Sequence, residues 1–199
     1  MSGKISAYDA HGDQRKVRMK RRIFSELGGF VVYEPALLAR YLDEHGLASG
    51  DVLAYFTQTE HGGAVTEEGI AVPISGVRSD YYDFAVTVGE ASEEIFAQNE
   101  AKIISRGWVF HSSGTLKIAG IGYFKDMSCI SEQNSLSFRV KRGRYRLEIL
   151  GGYRGTNFSG APTPLGDTSI LSDTPVFHLR LTPSAEPKFS GDLETSFYF

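Results

Sequence analysis

The sequence is poor in cysteine, with one thiol, Cys129, in 199 residues. A lone cysteine can neither close an intramolecular disulfide nor supply a thiolate metal cluster, so no oxidising compartment is required and the cytoplasm is the expected location. Long apolar runs are missing as well. No stretch reaches the ~20 residues a helix needs to cross a bilayer, and the charged N-terminal stretch has no apolar run behind it of the kind a secretory signal carries. Nor are there internal repeats or low-complexity tracts.

Catalytic signatures are equally scarce. The five histidines are His11, His45, His61, His111 and His178. None stands in an HxH, HExxH or HxxxH spacing that would place two imidazoles on one metal. No GxSxG elbow, GxxxxGK[ST] phosphate loop or GxGxxG after a strand occurs. The two glycines of Ala119-Gly120-Ile121-Gly122-Tyr123 sit inside a strand pattern and read as a bulge or bend. Cys129 lies in Met127-Ser128-Cys129-Ile130 without a cationic neighbour, which predicts a buried, inert thiol. Together these absences imply no cofactor, no metal and no enzyme of a recognisable class.

What the chain does have is a core-forming composition and an uneven charge. Hydrophobic residues are 41% and charged residues 23%, which excludes a disordered or fibrous chain. The first 22 residues hold seven basic and two acidic side chains, net +5, leaving 14 basic and 22 acidic in the rest, net −8. We divide the chain accordingly into a basic arm, 1–22, and a single β-rich domain, 23–199. Six Lys/Arg fall within residues 15–22, a density that suits phosphate binding and gives nucleic acid as one candidate partner. No aromatic stands among them to stack a base. Alternation about Val17 and Met19 equally permits a solvated edge strand, where Lys and Arg oppose edge-to-edge association.

One helix is well marked: Glu34-Pro35 places proline at the first helical position, Leu37, Leu38, Tyr41 and Leu42 recur at helical spacing, and Gly46 follows His45. A second helix is expected over Ser92–Ile104, opened by Ser92-Glu93-Glu94. Most other segments alternate with period two. Val52–Thr57 and Gly69–Ile74 read as paired strands about a His61-Gly62-Gly63 turn, and Tyr81–Val88 as a half-buried strand with Tyr82 inward. Trp108–His111 with Thr115–Ile121 reads as a hairpin across Ser112-Ser113-Gly114. Leu136, Phe138 and Val140 with Tyr145, Leu147 and Ile149 read as another across Lys141-Arg142-Gly143, its outer face made basic by Arg139, Lys141, Arg144 and Arg146 against Glu148. Phe177, Leu179 and Leu181 line one further strand, and Leu193, Phe197 and Phe199 another. The fold class expected is mainly β: an antiparallel β-sandwich or open barrel of about eight to ten strands with one or two accessory helices.

Two segments are candidates for gripping a partner. Asp80-Tyr81-Tyr82-Asp83 sets acids about tyrosines at a strand start, a composition that interface hot spots favour, and alternation leaves Asp80, Tyr81 and Asp83 available. Gly151–Thr174, rich in glycine and proline, reads as a long loop carrying Tyr153, Arg154, Asn157 and Phe158. A different class of function, a small-molecule binder or enzyme with a pocket between the sheets, would draw first on His61, Glu60 and His111.

The run Ser113-Gly114-Thr115-Leu116-Lys117-Ile118-Ala119, followed by Phe138-Arg139-Val140-Lys141-Arg142-Gly143-Arg144-Tyr145-Arg146-Leu147, resembles the β-rich core of several uncharacterised bacterial families. Some of these are immunity proteins that neutralise toxins of rival cells. The resemblance spans roughly residues 108–182 and implies a cytoplasmic, non-enzymatic protein that blocks a cognate toxin by contact. Those families carry an acidic residue after the first strand where this chain has Gly120, so no site residue is transferred.

Overall fold

The computed structural model describes residues 18–47, 50–89, 96, 101–154 and 174–199, with backbone alone for 18–21 and 154. Among these, nine strands and three helices are present. The strands are β1 (Arg18–Phe24), β2 (Gly29–Tyr33), β3 (Ala71–Ser75), β4 (Tyr81–Val88), β5 (Ala101–Ser112), β6 (Thr115–Gly120), β7 (Ser135–Arg139), β8 (Gly143–Arg154) and β9 (Thr174–Pro183). They form a five-stranded sheet, β1-β4-β9-β8-β5, and a four-stranded sheet, β3-β2-β6-β7. The helices are α1 (Pro35–Glu44), α2 (Val52–Gln58) and α3 (His61–Glu67).

Period-two alternation builds the main core. Phe30 and Val32 of β2, Tyr82 and Phe84 of β4, Leu147 and Ile149 of β8, and Phe177 and Leu179 of β9 all point between the sheets and are buried. This is a β-sandwich, one of the two mainly β architectures expected. Many of the alternate residues are buried too, through contacts on the outer faces. Val31, Tyr33, Ala71 and Ala119 pack beneath Leu38, Tyr41 and Leu42 of α1, Val52 and Val65. On the other sheet, Ala85, Leu150 and Val176 pack with Phe96. The strand over Tyr81–Val88 is therefore more than half-buried, with Ala85 and Thr87 on its outer side nearly inaccessible.

Several expectations are revised. Val52–Thr57 is helix α2: Asp51 caps it by accepting the Ala54 N–H at 2.8 Å, and Val52 with Phe56 places its apolar side on the helix-layer core. A contiguous apolar run of this length carries no period that separates strand from helix. His61-Gly62-Gly63 opens α3 instead of making a turn. Residues 101–104 of the expected second helix belong to β5, while 92–95 lie outside the described residues. Leu193 to Phe199 form no strand. The sheet is mixed, since β4 pairs with β9 in parallel. Gly151–Arg154, expected in a loop, completes β8, and 155–173, with Asn157 and Phe158, lie outside the described residues.

The two expected hairpins are corners. β5 pairs with β8 and β6 with β7, so β5–β8 is one long two-stranded ribbon folded over the core, each strand passing from one sheet to the other. Ser112 joins the two corners: its hydroxyl donates to the Val140 carbonyl and accepts from the Gly114 N–H, both at 3.1 Å. Arg139 thus lies on the four-stranded sheet, while Arg144 and Arg146 lie on the five-stranded one, and Glu148 is taken by Arg106 at 2.7 Å. The basic face expected for a single hairpin does not form. In the connection between β6 and β7, Cys129 is exposed, its Sγ 3.6 Å from Asp126 Oδ2, while its neighbours Met127 and Ile130 turn to the helix-layer core. The burial expected for this thiol is corrected accordingly.

Glu34 ties the helix layer to the same corner. Nearly fully buried, its carboxylate accepts the Leu37 N–H at 2.7 Å, capping α1, and the Ser113 hydroxyl at 2.6 Å. Glu34→Ala removes the cap and strands the Ser113 hydroxyl, so a loss of about 1–3 kcal/mol is expected. Urea denaturation measures it, and Ser113→Ala, which leaves the cap in place, should lose less.

Candidate functional site

The candidate residues Asp80, Tyr81 and Asp83 come together with Tyr153 and Arg154 at one end of the five-stranded sheet. There β1 and β8 finish while β4 and β9 begin: Phe24 pairs with Tyr81, Asp83 with Val176, Tyr153 with Pro175 and Arg154 with Thr174. Two sheet-crossing connections close this end. In the first, between β1 and β2, Ser25 donates its N–H to the Asp80 carbonyl at 3.0 Å and its hydroxyl to the Arg78 carbonyl at 2.6 Å. The second, residues 76–80, answers with Val77 N–H to the Gly28 carbonyl at 3.0 Å.

The side chains at this end divide by environment. Asp83 forms an ion pair with Arg22 at 3.4 Å and keeps only 14% of its side-chain exposure, so it is less available than alternation implied. Asp80 is exposed and accepts the Tyr81 N–H at 2.7 Å. Tyr81, 55% exposed, packs on Phe24 with ring centroids 5.2 Å apart. Tyr153 leans inward against Phe199 at 5.4 Å. Arg78 donates to the Tyr198 hydroxyl at 3.1 Å and lies 5.0 Å from that ring's centroid, a contact that holds its guanidinium above the ordinary range.

Leu27 is the residue at this end that sequence reading missed. It is 61% exposed and has φ 52°, the one non-glycine left-handed backbone among the described residues. Left-handed geometry in leucine is strained by about 1 kcal/mol. The strain persists because the turn is overdetermined: Gly28 follows with φ 67°, and Glu26 and Leu27 press on Gly120 and Gly122, where an added Cβ would meet them at 2.8 and 3.1 Å. Close backbone approach thus explains the two glycines that read as a bend. Leu27, Tyr81 and Tyr198 leave three large apolar groups more than half exposed at this end.

The residues proposed for a pocket fall elsewhere. His61 Nδ1 lies 2.9 Å from the Tyr41 hydroxyl, and His45, stacked on Tyr41 at 4.2 Å, engages the Tyr41 carbonyl through Nδ1 at 2.8 Å. Burial and then the Glu68 charge push the Tyr41 phenol up. His111 sits on β5, its N–H on the Gly69 carbonyl at 2.8 Å; burial and then Arg144 lower its imidazole. Among the described residues no group of three or more His, Cys, Asp and Glu is arranged to hold a metal ion. The main core lies between the sheets. A groove of about 350 Å³ lies instead on the far side of the four-stranded sheet, between Val31 and Pro73 below and α2 and α3 above.

No family model matches the chain and no curated protein does. Two solved structures are similar in fold. One is ComJ from Bacillus subtilis, described as an inhibitor of the DNA-degrading activity of NucA: 13% identity, TM-score 0.45, covering 85% of this chain and 99% of that one. The other is the product of crocagin biosynthetic gene J: 13% identity, TM-score 0.42, covering 83% and 96%. At 13% identity and TM-scores below 0.5 the likeness carries no argument about this chain. Among the described residues no helix is long and apolar enough to cross a membrane.

Proposed function

We propose that this chain is a non-enzymatic binding protein that acts by covering another protein, in its concrete form a bacterial immunity protein that neutralises a toxin in the cytoplasm. The observation that carries this reading is the end surface, where Leu27, Tyr81 and Tyr198 are each 55–61% exposed around Arg78 and Asp80. Large apolar and aromatic groups exposed together at one end form an anchor patch, and anchors of this kind dominate protein–protein affinity. The net charge of −8 over residues 23–199 supplies long-range attraction for a basic partner, raising the encounter rate in a salt-dependent way.

The test is affinity capture from the native cell with the protein and with a Leu27→Asp, Tyr198→Ser double variant. Both positions are exposed, so the variant should melt as the parent does. Truncating anchors of this class should weaken a real partner by about 30-fold. The expected result is a basic protein retained by the parent, lost by the variant, and stripped of its own activity when the purified pair is recombined. Equal retention by the variant, or undiminished partner activity at saturation, rejects the reading.

A further inference from the structure

We infer that the groove beneath α2 and α3 is a binding site for a small apolar amine, independent of the protein-binding end. The groove is walled by Leu53, Phe56, Ile121 and Phe124 and is at the lower end of the size range of small-molecule sites. Its hydroxyls at Thr57 and Thr66 are spent on helix carbonyls, Leu53 at 2.9 Å and Gly62 at 2.9 Å. Glu194 is the one charged residue of the lining among the described residues. An apolar body with an ammonium head matches that wall, and a carboxylate of the same shape is repelled.

The two glycines of α3 indicate that the space is kept open. Each weakens a helix by about 1 kcal/mol relative to alanine. Packing demands the first, since a Cβ on Gly62 would lie 2.0 Å from the Phe56 carbonyl oxygen. It does not demand the second. Gly63 lines the groove with nothing within 4 Å of where its Cβ would be, and it is helical. A side chain there would stabilise α3 and enter the groove, so its absence preserves volume for an occupant.

The probes are 2-phenylethylamine and its near-isosteric acid, 3-phenylpropanoate, titrated at pH 7 while the backbone amide resonances of Gly62, Gly63, Thr66 and Glu194 are followed by NMR. Saturable shifts with the amine and weaker or absent shifts with the acid are expected. Glu194→Gln should weaken the amine by about fivefold, the value of an exposed ion pair, and erase the preference. Gly63→Leu should abolish binding while the melting temperature holds or rises. Thr57→Arg, on the exposed face of α2, should also abolish amine binding and favour the acid, and it keeps the test decisive if Gly63→Leu misfolds. No saturable shift with the amine, equal binding of the acid, or an undiminished response in Gly63→Leu or Thr57→Arg overturns the assignment. None of these outcomes depends on capture of a protein partner at the Leu27 end.

Discussion

Phe197→Ala is expected to destabilise the protein by about 3–5 kcal/mol, against about 0.5 kcal/mol or less for Tyr198→Ala one residue away. Phe197 is 1% exposed and joins the main core, edge-on to Phe177 at 6.0 Å, with its N–H on the Ser75 carbonyl at 2.9 Å. Phe199 follows it in, reaching Phe177 at 5.4 Å and Tyr82 at 6.1 Å. The backbone of β8 makes room: a Cβ on Gly151 would stand 2.5 Å from the Phe199 ring. These two rings plug the mouth of the sandwich, so truncating Phe197 opens a cavity that rigid sheets on both sides cannot close. For a chain of this size the loss corresponds to a fall in melting temperature of about 10 °C. Calorimetry or urea denaturation of the two variants decides it, and a loss below about 1 kcal/mol for Phe197→Ala would show that the tail merely rests on the core.

Acid should unfold the protein through His178. This imidazole lies on the outer face of β9, fully buried, with Nε2 2.8 Å from the Thr87 hydroxyl and Nδ1 without a hydrogen-bond partner among the described residues. Ala85 of β4 and Leu150 of β8 flank it in register. On the same face Arg180 stands two residues along β9, opposite Glu148. Burial, and then the Arg180 charge, push the imidazole down to about 3 from 6.5. The sign follows: below pH 6.5 the unfolded chain takes a proton that the folded one refuses until about pH 3. Stability from this site is whole above pH 6.5 and declines by about 1.4 kcal/mol per unit between those limits. Between pH 7 and pH 5 a loss of about 2 kcal/mol is expected. The double variant His178→Leu, Thr87→Val replaces both polar partners together and should flatten that slope. An unchanged slope would assign the acid sensitivity to other groups.

Legibility from the sequence varied with what each segment's neighbours were. Tyr81–Val88 and the inward Phe177, Leu179 and Leu181 were readable because one face of each meets the main core and the period of two is a local property. Helix α1 was readable from Glu34-Pro35 and its apolar spacing, even to its start at Pro35. Helices α2 and α3 were not, since Val52–Phe56 is a continuous apolar run and α3 carries two glycines in its first turn. The surface of the four-stranded sheet, not propensity, holds them helical. Of the partner-binding candidates, Asp80, Tyr81 and Asp83 were marked by composition. Leu27 had no mark at all, because a leucine's left-handed backbone and its exposure are imposed by Ser25, Gly28 and the facing 76–80 connection.

By itself the sequence determined a mainly β fold, sandwich or open barrel, with an amphipathic helix laid upon it, because side-chain period and caps act over a few residues. Tertiary structure alone decided that the glycine turns at 112–115 and 139–143 are corners between sheets, and that β4 runs parallel to β9. It alone brought Tyr81 and Tyr153, 72 positions apart, to one end. A turn's local chemistry is the same whether the next strand pairs beside the last or crosses the core. Long-range burial is what selects between them, with the four-stranded sheet packed under the helices and Ala85, Leu150 and Val176 packed with Phe96.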